Sequence, residues 1–167
     1  MRNEPESRPS KGAREAHATL APAFRALAAT ECSRILSRNH VARLAFAFHG
    51  RVDIEPVHYV YDQGSMYCRT SPGSKLTTIA HSPWIAAEVD EIEGLFEWRS
   101  VVVHGSVYTL SHDVQGAEAT AWARGLELLR ALIPETGTGD DPVPFRSVMF
   151  QLRIEETSGR EARPGNR

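Results

Sequence analysis

Apolar and polar residues alternate with a period of two along much of the chain, and this spacing predicts strands. Ala42, Leu44, Phe46 and Phe48 mark one face of a strand over Val41 to Phe48, ended by His49-Gly50. A second strand covers Val52 to Tyr61, with Val52 and Ile54 on one side and Asp53 and Glu55 on the other. Pro56 interrupts its pairing and predicts an edge, a bulge or a strand end nearby. Asp62-Gln63-Gly64 is a tight turn, and Ser65 to Thr70 closes the hairpin. Trp84 to Asp90 and Glu97 to Leu110 read as strands four and five around a loop at Glu91 to Gly94, with Gly105 as a bulge. The last strand, Phe145 to Ile154, alternates most regularly: Val148, Phe150, Leu152 and Ile154 inward, Ser147, Gln151 and Arg153 outward.

Three stretches carry helical spacing instead. Thr30 to Arg38 has an N-cap candidate in Thr30 and places Cys32, Ile35 and Leu36 on one face. A second helix opens at Ser71-Pro72, where the serine can cap and the proline loses nothing at the first helical position, and runs to about His81. Asp113 to Ile133 carries an apolar stripe of Val114, Ala117, Ala121, Trp122, Leu126, Leu129 and Ile133, weakened at Gly116 and Gly125. A Gly/Pro/Asp-rich loop, Pro134 to Pro144, follows. Six strands joined mostly by short turns predict a mainly β fold with added α: an antiparallel barrel decorated by helices rather than a doubly wound parallel sheet. The mixed polar composition of residues 1–23 predicts a disordered tail and that of 158–167 a flexible one, leaving a single domain over 24–157.

The 167 residues suit one domain, and 41% hydrophobic with 24% charged residues is ordinary for a globular chain. A net charge of −2 argues against a nucleic-acid partner. No apolar run approaches the ~20 residues of a membrane span, and the polar N-terminus has no secretory core, so a cytoplasmic protein without a membrane partner is expected. Cys32 and Cys68 form no disulfide framework, and the seven histidines show no metal-ligand spacing.

The chemically informative stretch is Tyr67 to Leu76. A strand ends in Arg69-Thr70, and a helix begins around Gly73-Ser74-Lys75. The free N–H groups of a helix start, a small glycine, hydroxyls and two full positive charges suit a phosphate monoester, although the spacing is not that of a Walker loop. A capped surface helix with incidental charges would read the same way. The basic residues are seventeen Arg and only two Lys, one of them Lys75. Trp98 and Ser100 could flank and donate to a planar ligand, or serve an ordinary strand. His58, beside the irregular Pro56, could be a ligand, a proton donor or a satisfied strand histidine.

In order along the chain, Arg43-Leu44-Ala45, Pro56-Val57-His58-Tyr59, Tyr67 to Leu76, Ser82-Pro83 and Trp98 to Gly105 resemble the pyridoxamine 5′-phosphate oxidase-like superfamily of FMN-binding split β-barrels. The resemblance covers about Cys32 to Leu110, with a weaker match at Glu155 to Glu161. It implies a homodimer with FMN sites at the interface: Arg69, Thr70, Ser74 and Lys75 on the phosphate, Val57, His58, Tyr59 and Val60 along the isoalloxazine, and Trp98, Arg99 and Ser100 reaching over from the partner subunit. The last tryptophan is Trp122 and the C-terminus is short, unlike the true pyridoxamine phosphate oxidases, so the chain looks closer to the flavin-reductase-like and nitroimidazole-resistance-like relatives. An oxidoreductase passing electrons from flavin to a small-molecule substrate is the leading expectation, with no catalytic side chain singled out beyond His58 and Tyr59 as proton-donor candidates. The alternatives are a reductase using the deazaflavin F420, with Arg51, Arg99 and Arg146 along a basic groove, a haem protein with His58, His81 or His104 as axial ligand, and a non-catalytic flavin-binding protein.

Overall fold

A computed structural model describes residues 21–48, 50–113 and 115–165. Most of the expected N-terminal tail, together with His49 and Val114, lies outside the described residues. In chain order the elements are β1 (Ala23–Ala26), α1 (Ala29–Arg38), β2 (Val41–Phe48), β3 (Arg51–Asp62), β4 (Ser65–Thr70), α2 (Ser74–His81), β5 (Trp84–Gly94), β6 (Glu97–Leu110), α3 (Ala117–Leu132) and β7 (Val148–Arg163).

All strand pairs are antiparallel, and six strands close a ring in the order β2-β3-β4-β7-β6-β5, with β5 returning to β2. The split β-barrel is therefore present as expected. Alternation along these strands turns Leu44, Val57, Tyr59, Cys68, Ala87, Val101, Val103, Phe150 and Leu152 into one shared core. A second, smaller cluster lies outside the ring, where α3 covers Val60, Tyr67, Leu110 and Met149. That cover explains why Gln151, expected outward to solvent, is buried: its Nε2 donates to Ser65 Oγ at 2.9 Å. Gly125, expected to weaken α3, instead admits it to the barrel, since a Cβ there would lie 2.8 Å from both Met149 Sδ and Tyr67 Cδ1.

The expected flexible tail at 158–167 is corrected over most of its length. β7 continues to Arg163, pairing with β6 from Trp98↔Ala162 onward and with β1 from Ala23↔Arg163 to Ala26↔Arg160. Two hydrogen-bonding partners outweigh the Gly- and Arg-rich composition. Gly159 belongs to this packing, for a Cβ would come within 2.6 Å of Cys32 Sγ on α1. The helix starts shift as well. α1 begins after Ala28, whose N–H donates to Glu31 at 2.8 Å, so Thr30 lies inside it. α2 begins after Gly73, so Ser71 and Pro72 form the bend ahead of it and cap nothing. α3 begins after Gly116, whose φ of +94° breaks the helical path that was expected from Asp113. Strand β5 extends through the expected loop to Gly94. No helix among the described residues is long and apolar enough to cross a membrane.

Gly105 is the expected bulge: the β6–β7 register shifts between His104 and Gly105. A Cβ at this position would sit 1.9 Å from the Arg153 carbonyl oxygen, a backbone atom held in the ladder. Gly105→Ala should therefore cost about 3 kcal/mol or more, whereas Gly139→Ala, with nothing within 4 Å, should be nearly neutral. Urea melts of the two variants check this, and equal midpoints would contradict the close approach.

Candidate functional site

The β3–β4 hairpin sorts the sequence-predicted residues by face. Val57 and Tyr59 point into the barrel, where the Tyr59 hydroxyl donates to the Leu36 carbonyl at 2.8 Å. Burial drives the Tyr59 phenol far above its ordinary pKa, which removes it as a proton donor at neutral pH. Val60 is covered by α3 and Thr70 is buried. From the segment 57–60, only the His58 side chain is exposed.

Arg69 lies on the α3 side of the sheet, one residue beyond the Tyr59↔Cys68 pair. Its Nε donates to the Arg146 carbonyl at 2.9 Å and its Nη2 to Asp141 Oδ2 at 2.7 Å. Asp141, 2% exposed, also accepts from the Gly137 and Val143 amides at 2.7 and 3.0 Å. The Arg69 guanidinium, aided by these amides, holds its carboxyl down to about 2. The Gly/Pro/Asp-rich loop is thus a built structure anchored on Arg69. It returns Arg146, whose Nη1 donates to His58 Nδ1 at 2.9 Å. A guanidinium only donates, so His58 is neutral with its proton on Nε2. Burial, and then the Arg146 charge, lowers its pKa in the same direction.

Lys75 acts on the other side. Its Nζ meets Glu55 at 2.6 Å, and Glu55 sits opposite Leu44 on the barrel-facing side of β3. Lys75 is 12% exposed but Glu55 is 44% exposed, so this counter-ion can yield to a ligand. The side chain of Ser74 lies outside the described residues. The first amides of α2 have no partner within the helix, Gly73 as N-cap supplies no side chain, and a Cβ on Gly73 would meet nothing within 4 Å. Arg69 and Lys75, expected on one phosphate, are thus engaged separately in this structure: Arg69 by Asp141 at the loop, Lys75 by Glu55 at the open helix start.

Trp98, Arg99 and Ser100 lie at the far end of the molecule. Arg69 pairs with Met149 and Trp98 with Ala162, so the two groups are separated by on the order of 40 Å along β7. Trp98 borders three cavities of about 390, 380 and 690 Å³. Arg99 is committed to Glu161 at 2.7 Å, and Ser100 Oγ donates to Glu88 at 2.8 Å. Glu161 is buried and also holds Arg25 and Arg163. The sequence reading missed Glu55, Asp141 and Glu161, the carboxylates that engage its predicted cations. Their partners are too distant in the chain for any local signal.

A family model described as pyridoxamine 5′-phosphate oxidase matches residues 28–161. An uncharacterised protein of Rhizobium meliloti is 28% identical over 81 residues, 48% of this chain and 54% of that protein, so the match spans about half its length. Among solved structures, an FAD-binding protein from Mesorhizobium loti superposes with a TM-score of 0.68 at 29% identity, covering 84% of this chain and 99% of its own. An FAD-binding protein from Mycobacterium smegmatis gives 0.59 at 23% identity, over 83% and 98%. A haem storage protein from Vibrio cholerae gives 0.60 at 14% identity, over 77% and 90%. The last two show likeness of fold alone.

Proposed function

The chain belongs to the pyridoxamine 5′-phosphate oxidase family, and from that premise we propose that it binds FMN between two copies of itself and serves as an oxidoreductase acting on a small molecule. The observation that carries this reading is the separation of the site's two halves along β7. A phosphate-receptive helix start and a Trp-lined groove so far apart on one chain would be brought together by a second copy laid against the first. The outer face of the β2–β3 hairpin offers apolar surface for a second copy: Val52 and Ile54 are 66% and 65% exposed, and the strand beside them carries only Ala47 and Ala45 opposite.

The donor set fits a flavin phosphate. Lys75 and the unpartnered amides of α2 supply charge and hydrogen bonds, and Gly73 leaves the approach open. Arg69 and Arg146 shape the neighbouring wall and fix His58 as an Nε2–H donor toward whatever lies against β3. A bound flavin supplies hydride and electron transfer; the chain's own residues bind, orient and donate hydrogen bonds. The Mesorhizobium loti relative, described as FAD-binding, supports a flavin and leaves FAD as the competitor to FMN. His58 is poorly suited to be a haem ligand, because such a histidine donates from Nδ1 and ligates through Nε2, whereas Nδ1 here accepts from Arg146.

The test is an absorption spectrum of the purified chain titrated with FMN, FAD and haem, with hydrodynamic mass measured alongside. Saturable flavin bands in a particle of twice 18.5 kDa are expected. Stoichiometric FMN binding by a particle of 18.5 kDa would sink the shared site, and a Soret band with no flavin uptake would replace the cofactor.

A further inference from the structure

The sequence resemblance casts Arg99 as the cation of the Trp98 half-site, yet both of its carboxylate partners are internal: Glu161 at 2.7 Å and Glu91 at 3.6 Å. Arg25 and Arg163 are likewise spent on Glu161, at 2.6 and 2.8 Å. Arg160 differs. Among the described residues it makes no side-chain hydrogen bond or ion pair, while Arg25, Arg99 and Arg163 are all engaged by Glu161. Its position is fixed by two ladders, opposite Ser100 on β6 and Ala26 on β1. The adjacent row on the same face is Phe24, Ala162 and Trp98, and the Phe24 and Trp98 rings stand 6.3 Å apart at 55° over the buried alanine. These aromatics and Arg160 line the groove of about 690 Å³, together with Arg25, Ser158 and Gly159.

We propose that this groove seats a planar, negatively charged small molecule, an aryl carboxylate or a close equivalent, with Phe24 and Trp98 against its face and Arg160 on its anionic group. The charge balance favours an anion. The groove's one carboxylate, Glu161, is 1% exposed and already surrounded by three guanidiniums. Glu88 and Asp90 line a neighbouring cavity that Arg160 also borders, but Ser100 and Arg43 engage them and neither is paired with Arg160. Arg160 brings planar donors with no competing partner, which suits bidentate recognition of a carboxylate. The inference rests on the flavin reading only for its meaning: the groove shares Trp98 with the half-site assigned there to the flavin, and on that reading the anion is the substrate.

Benzoate and benzamide, equal in shape and different in charge, test it by calorimetric titration of the full chain with and without FMN. Benzoate should bind about tenfold more tightly than benzamide. Arg160→Gln should abolish that preference, Arg160→Lys should keep part of it, and Trp98→Leu should weaken both probes. Arg160 is exposed, so the melting temperature of Arg160→Gln should match the parent's. Equal affinity for the two probes, no binding of either, or a preference that survives Arg160→Gln would overturn the proposal. A benzoate preference that depends on Arg160 in a protein unable to take up FMN would support the groove and overturn the flavin reading. FMN uptake with no preference between the probes would do the reverse.

Discussion

Replacing Glu161 with alanine should lower the unfolding free energy by about 1.5–3 kcal/mol, the scale of hydrogen bonds to a charged group, since the guanidiniums left behind are 42%, 37% and 58% exposed and can be hydrated. The carboxylate is 1% exposed and receives Nε of Arg25, Arg99 and Arg163 at 2.6, 2.7 and 2.8 Å. Those arginines come from β1, β6 and β7, so a single side chain ties the added strand to the barrel wall. Arg25 also holds Glu31 on α1 at 2.8 Å, extending the tie to the first helix. Without Glu161, three guanidiniums face one another with a single buried counter-ion removed. Glu161→Gln keeps the volume and loses the charge, and should cost less than alanine but remain destabilising. The pH dependence follows from the direction of the shift. Burial, the largest single influence, raises the Glu161 pKa, but the hydrogen bonds from Arg163, Arg99 and Arg25 together outweigh it, and the net shift is downward. The stabilisation is therefore present above the ordinary glutamate value of about 4.3 and lost as pH falls through the lower folded-state value. Denaturant melts of parent and Glu161→Gln should differ most at pH 7 and converge in acid. A gap that persists unchanged below pH 3 would show that the charge is not what Glu161 contributes.

The same cluster shows what sequence patterning can and cannot reach. Period-two alternation located β2, β3, β4 and β6 to within a residue or two, because each has one face in the core and the spacing of that face is local. The bulge at Gly105 was legible for the same reason. β1 and the end of β7 were not, because their residues gain order from each other across a separation of 136 positions at the Arg25–Glu161 contact, and alone they look like polar termini. Gln151 misled in a related way: its face is closed by α3, and no period in β7 reports a helix laid over it. In the site, the types of residue were legible and their pairing was not. Asp141 engages Arg69, which the alternation of β4 puts on the α3 side, while Lys75 meets Glu55 on the barrel-facing side of β3. The resemblance named Arg99 as a flavin contact, and no local pattern announced its ion pair with Glu161, sixty-two residues away.

That division of labour predicts different fates for two arginine and lysine variants that the sequence alone would treat as equivalent. Lys75→Ala should weaken FMN binding by about tenfold to a hundredfold, the scale of one charged hydrogen bond, and leave riboflavin binding unchanged because riboflavin carries no phosphate. Its stability should hardly move, since the partner lost is the 44% exposed Glu55 and such pairs contribute about 0–1 kcal/mol. Arg69→Ala should act first on the fold. Asp141, 2% exposed, would lose its cation but keep the Gly137 and Val143 amides, and the Arg146 carbonyl would lose its donor. The loop that brings Arg146 to His58 would loosen, releasing His58 from its Nε2–H form. A lower melting temperature and a His58 that titrates nearer its ordinary value follow, with FMN and riboflavin affinities falling together. The His58 change is visible by NMR of the imidazole carbons across pH 5 to 8. Equal loss of FMN and riboflavin in Lys75→Ala would remove the phosphate from the helix start. A stable Arg69→Ala that loses FMN alone would restore the single cradle, with Asp141 displaced when the phosphate arrives.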